Sequence, residues 1–148
     1  MLELWYRRSE YNLLGSTINV DSGAWVHSHT GIGAGLDSYY EYLLKYYVLA
    51  GDMDWLFMFN TSYASIESEM QHDGFHYEVD MDFGKEFVRS RRVSALQAFW
   101  PGLQVLAGDI ARAEKSHKSL FRLWNKFGTL LKVFQIHCIY DNIVLISV

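Results

Sequence analysis

A single proline, Pro101, stands in a chain of 148 residues of which 16% are Phe, Trp or Tyr. Proline breaks helices and punctuates turns. A chain that almost lacks it and is dense in bulky rings suits long packed helices better than a turn-rich β-sandwich. With 50% hydrophobic and 20% charged residues, there is apolar mass for one core and too little charge for a disordered segment. Thirteen Lys and Arg against seventeen Asp and Glu leave a net charge of −4. Without a basic excess to displace counterions from a phosphate backbone, nucleic acid is not an expected partner. The one cysteine, Cys138, excludes an internal disulfide framework and a cysteine-based zinc site but fixes no compartment.

No window approaches the roughly 18 uninterrupted apolar residues of a membrane span, so no transmembrane segment is expected. The start, Met1 to Arg8, places charges where a signal peptide needs its apolar core. Ile136 to Val148 is apolar and β-branched but interrupted by Asp141 and Asn142, which predicts a short strand-prone tail.

Thr17 to Val20 and Ala24 to Val26 alternate around Asp21-Ser22-Gly23, a hairpin signature. Thr30 to Leu36 is a glycine-rich loop, and from Asp37 to Leu49 the pattern turns helical until Gly51 stops it. Asp52 is placed to cap a second helix over about Met53 to Met70, where Trp55, Leu56, Phe59, Tyr63 and Ile66 recur at helical period. So short a turn predicts an antiparallel pair. Gln71 to Lys85 loses the period. Helix is expected again from about Phe87 to Trp100 and, beyond Pro101-Gly102, in a last pair around Gly108-Asp109 that ends near Phe127. No repeat is evident from residue identity, though paired helices are compatible with an α/α toroid.

The chemistry concentrates in Gly31 to Lys45. Glycines at 31, 33 and 35 permit positive φ or close approach and lead straight into a helix N-terminus. A dinucleotide loop is disfavoured, because its third glycine would fall at Leu36 and no βαβ unit follows. Asp37, Glu41 and Lys45 at i, i+4 and i+8 form one charged stripe. Two explanations stand: the solvent face of an amphipathic helix, with a Glu41–Lys45 pair and Asp37 at the positive end of the dipole, or the wall of a polar cavity in which Asp37 serves sugar or proton chemistry.

The run from Gly31 to Lys45 resembles the G-x-G-x-G-x-D-S-[FY]-[FY]-E-Y-L-[LV]-K signature of class I α-1,2-mannosidases, in particular their ER degradation-enhancing branch. The resemblance continues through Asn12 to Asn19 and Gly23 to Val26 on one side and Ser94 to Asp109 on the other, covering about Leu4 to Gly128. It implies a mainly all-α architecture: a partial α/α toroid of helix pairs with a small β-hairpin near the N-terminus. It further implies a hydrolase trimming N-linked high-mannose glycans of misfolded glycoproteins in the endoplasmic reticulum lumen, with a bound calcium ion. Asp37 matches one of three catalytic carboxylates, Glu41 a pocket-wall position, and Gly35 replaces an arginine that contacts glycan in the processing enzymes.

The other two carboxylates and the calcium-binding threonine of the family have no counterpart in the chain. Residues 1–128 are therefore expected to be a fragment of a single α/α-barrel glycosidase domain, inactive alone, and 129–148 an unrelated tail. An isolated piece of a toroid is expected to expose apolar surface. A lectin-like or client-binding module without catalysis, and a helical scaffold with no glycan role, are the competing expectations. Asn60-Thr61-Ser62 is an N-glycosylation sequon. His72, Asp73, His76, Glu78, Asp80 and Asp82 gather between helices and superficially resemble a metal site, but such loops are more often solvated. Arg89, Arg91 and Arg92 read as a helix surface. His27 and His29 flank the glycine loop.

Overall fold

The structure, a computed structural model, describes residues 2–128 and, beyond them, the backbone of the strands Val133–Ile139 and Asn142–Ser147. A short helix, α1 (Leu2–Trp5), buries Trp5. The expected hairpin forms from β1 (Thr17–Ile18) and β2 (Trp25–His27). In its turn Asn19 Oδ1 accepts the amides of Asp21 and Ser22 at 2.9 and 3.0 Å, the local bond that makes Asn a turn residue.

After β3 (His29–Thr30) and the glycine loop, α2 (Asp37–Ala50) runs until Gly51 turns left-handed and returns its amide to the Tyr47 carbonyl at 2.8 Å. Asp52 caps α3 (Met53–Glu69) by accepting the Asp54 amide at 3.0 Å. The face of α3 marked by hydrophobic period is the face that packs: Phe59 and Ile66 are buried, and Trp55, Leu56 and Tyr63 lie against the same core. That core joins α2 and α3 to Leu13, Leu14, Trp100 and Leu103.

Between the helices lies more sheet than a mainly all-α chain should hold. β4 (Gln71–His72) pairs with β5 (Phe75–His76), and β6 (Glu78–Asp80) lies between β3 and β7 (Gly84–Ser90). β8 (Arg92–Ser94) pairs with β9 (Val133–Ile139), which forms a hairpin with β10 (Asn142–Ser147). The tail is strand, as its β-branched composition predicts, and it is hydrogen-bonded to the body of the chain. The side chains of β9 and β10, Cys138 among them, lie outside the described residues.

One helical expectation is corrected. Phe87 to Ser94 is extended, and helical turns begin only with a 3-10 segment, Ala95–Phe99, that runs into α4 (Trp100–Leu106). The pairing of Val88 with Val79 and Ser90 with Glu78 supplies backbone partners that no local period reveals, and β-branched and aromatic side chains suit the pleat. The Arg89-Arg91-Arg92 run consequently belongs to strands and their junction. Pro101 starts α4 instead of breaking a helix, in the first turn where its missing N–H leaves no hydrogen bond unmade. Asp109 then caps α5 (Ile110–Phe127), accepting the Arg112 amide at 3.2 Å. Ile110, Phe121 and Trp124 are exposed along α5, as are Leu49 and Phe57, so the apolar surface expected of a toroid piece is present.

Candidate functional site

The site is built where the glycine loop becomes α2. The Gly33 carbonyl accepts the amides of Leu36 and Asp37 at 3.3 and 3.0 Å, a tight turn that launches the helix. Gly35 has a φ of 100°, a conformation L side chains rarely adopt, and lies against Ser16. Asp37, half-buried, opens α2, where the positive end of the helix dipole favours a carboxylate. Its Oδ1 accepts the Ser38 amide at 2.8 Å and the Ser38 hydroxyl at 3.4 Å, while Oδ2 has no hydrogen-bond partner among the described residues.

One turn on, Glu41 Oε1 accepts from Lys45 Nζ at 2.6 Å. The expected charged stripe is therefore real, with an ion pair on its outer part. The Ser16 hydroxyl, which abuts Gly35, is 2.7 Å from His29 Nε2, and the His27 ring lies 5.5 Å from that of His29, so both histidines do border the loop. Clefts of about 470 and 440 Å³ lie elsewhere, one over Lys115, Arg122 and Phe75, the other over Glu69, Lys85 and Val88.

Two polar centres went unnoticed in the sequence. Glu67, on the apolar side of α3, is buried, and its Oε1 accepts from His76 Nε2 at 2.9 Å, Trp100 Nε1 at 3.1 Å and Gln104 Nε2 at 3.0 Å. An ionised carboxylate only accepts, so this bond fixes the His76 proton on Nε2. Burial pushes the Glu67 carboxyl up, but the His76, Trp100 and Arg112 interactions outweigh it and hold the group below the usual carboxylate value. Asp80, also buried, receives Arg89 and the Ser28 hydroxyl, the latter at 2.7 Å, and these partners likewise overcome burial to lower its pKa. A carboxylate four positions after Tyr63, on the face that packs, was the signal available for Glu67.

Both depressed carboxylates contribute stability that is fully present above their unfolded values, 4.5 and 3.8, and is lost as pH falls through the lower folded values. Urea midpoints are expected to hold steady from pH 7 to about pH 5 and to drop below about pH 4.5. A midpoint unchanged down to pH 3 contradicts the role of these pairs.

A family model, glycosyl hydrolase family 47, matches residues 1–139 of the chain. The chain belongs to glycosyl hydrolase family 47. Among its relatives, Alpha-mannosidase I MNS5 of Arabidopsis thaliana is 46% identical over 128 residues, covering 86% of this chain and 22% of the relative. ER degradation-enhancing alpha-mannosidase-like protein 3 of Homo sapiens is 44% identical over 133 residues, 88% of this chain and 14% of its own. Protein 1 of that series from Schizosaccharomyces pombe is 37% identical over 134 residues, 90% and 17%. The chain thus spans about a fifth or less of the length of these family 47 relatives. The family 47 match runs past Gly128 into β9.

Within this family 47 segment, Gly35, Asp37 and Glu41 come together at one helix start. Asn60 sits apart, exposed on α3, with the Thr61 hydroxyl donating to the Phe57 carbonyl at 2.9 Å. Among the described residues no three His, Cys, Asp or Glu side chains converge in a way that would hold a metal. His76 is engaged by Glu67 and Asp80 by Arg89, so the residues present do not fit a calcium site and no step is routed through one. No helix of the described residues is long and apolar enough to cross a membrane.

Proposed function

We propose that this chain supplies the Asp37 portion of the active site of an inverting α-1,2-mannosidase-like enzyme. The complete protein removes mannose from N-linked high-mannose glycans of misfolded glycoproteins in the endoplasmic reticulum lumen. Its domain closes into an α/α toroid of which these helix pairs are a part, and calcium, where bound, is held by residues outside this segment. The observation that carries the proposal is Asp37 itself: a half-buried carboxylate at a helix N-terminus, beside a side-chain-free loop, with Oδ2 unengaged.

Inversion needs one carboxyl group to protonate the leaving oxygen and another to activate water on the opposite face. Asp37 is one of that set. Glu41, one turn away and tied to Lys45, orders the wall, and the absence of a side chain at Gly35 leaves glycan room that an arginine would fill. Asn60 is a modification site of the lumenal protein, on a face of α3 that leaves it accessible.

One carboxylate does not complete this chemistry, so the purified 148-residue chain is expected to release no mannose from a high-mannose glycan, whereas the full-length protein releases it. Proton NMR of the early product should show β-mannose accumulating before mutarotation. Turnover by the chain alone, or an α-anomer first, overturns the corresponding half of the proposal. A lectin-like or client-binding role is the second reading, favoured by the exposed Phe121 and Trp124 on α5, and it predicts association without any released sugar.

A further inference from the structure

Gln97 lies in the 3-10 segment that leads to Trp100 and is 5% exposed, yet its side-chain amide has no hydrogen-bond partner among the described residues. Buried amides are almost always paired, because an unmade bond costs the full desolvation of the group. Every neighbouring donor and acceptor is already committed or absent. Trp100 Nε1 and Gln104 Nε2 go to Glu67, and His76 Nε2 does the same. The side chain of Gln97 lies directly beneath the glycine loop. A Cβ built on Gly33 would stand 3.5 Å from Gln97 Cγ, 3.8 Å from its Nε2 and 3.3 Å from the Ser94 hydroxyl. Gly33 is also the residue whose carbonyl receives the Asp37 amide. An unpaired amide therefore borders the turn that positions Asp37, on the side where the loop carries no side chain. The void on its other side, shared with Ile32, Trp100 and Ser116, measures about 10 Å³, at the lower limit for a single water.

Resting on the mannosidase reading above, we infer that Gln97 is a substrate-positioning residue: its amide is held unpaired so that it hydrogen-bonds a hydroxyl of the mannose lying against the glycine loop beside Asp37. The competing explanation is a packing residue bridged by one internal water. Sites pre-organised for a ligand hold polar groups whose partners arrive only with that ligand, at a cost to stability.

Gln97→Met in the full-length protein keeps the volume and removes the amide. KM for a high-mannose glycan is expected to rise roughly three- to tenfold, the loss of one neutral hydrogen bond, with kcat little changed. The unfolding midpoint should stay level or rise, because an unpaired polar group has left the interior. Gln97→Glu, which retains an acceptor, should recover part of the KM. An unchanged KM overturns the inference, as does a raised KM accompanied by a lowered midpoint, which marks a water-bridged packing residue. Asp37→Asn is run alongside. If it leaves turnover intact the mannosidase reading itself is lost, whereas if it abolishes turnover while Gln97→Met leaves KM alone, only the role of Gln97 is.

Discussion

Replacing Asp37 with Asn is expected to cut mannose release by the full-length protein by about 10²- to 10⁴-fold, the range for removing one general acid or base. The change is nearly isosteric. The Asn carbonyl still accepts the Ser38 amide that Asp37 Oδ1 accepts at 2.8 Å, and α2 keeps its start, so the fold and the glycine loop are preserved. What disappears is the negative charge and the proton capacity of Oδ2, the oxygen that no described residue engages. Loss of dipole stabilisation at the helix terminus costs only about 0.3–1 kcal/mol, too little to unfold the protein. The measurement is released mannose against glycoprotein co-precipitation, side by side. Lost trimming with retained association supports a catalytic Asp37. An unchanged glycan profile removes it from the reaction.

The largest effect on stability is expected at Glu67. Glu67→Ala takes the shared acceptor from His76, Trp100 and Gln104 at once, in surroundings where Trp100 is 1% exposed and Gln104 fully buried. Orphaning donors of a buried network costs about 3–5 kcal/mol. Glu67→Gln leaves an oxygen to accept from the same donors and removes only the charge, so a loss of about 1–2 kcal/mol is expected. Arg112, 57% exposed and 3.5 Å from Glu67 Oε2, is screened by solvent, and Arg112→Ala is expected to cost under about 1 kcal/mol through that contact. Urea denaturation followed by tryptophan fluorescence orders the three variants. A Glu67→Ala loss no larger than that of Arg112→Ala would show that the network holds nothing together.

Trp100 makes this hub more than local. Its ring stacks on Tyr63 at 5.8 Å and meets Tyr40 edge-on at 6.3 Å, joining α3 and α4 to the first turn of α2, which begins at Asp37. The aromatic density seen in the composition is this packing. Burial of the hydroxyls accompanies it: desolvation pushes the Tyr39 phenol up to about 12, and the Tyr40 phenol higher still.

The amino-acid order by itself determined the local events and the lineage. The hairpin around Asp21-Ser22-Gly23, the Gly51 stop, the Asp52 and Asp109 caps, the helices between them and the Asp37–Glu41–Lys45 stripe each depend on residues within a few positions of one another, so short-range periodicity and capping chemistry suffice to find them. The Gly31 to Lys45 motif carried the family in the same way. The tertiary structure alone decided that Phe87 to Ser94 is strand, since its partners Val79 and Glu78 lie across a turn, and that Glu67 gathers His76, Trp100 and Gln104 from other elements. It also decided that Gln97 is left unpaired beneath Gly33. Each of these depends on contacts whose energies belong to pairs of residues distant in the chain, and no one-dimensional pattern records which donor ends beside which acceptor.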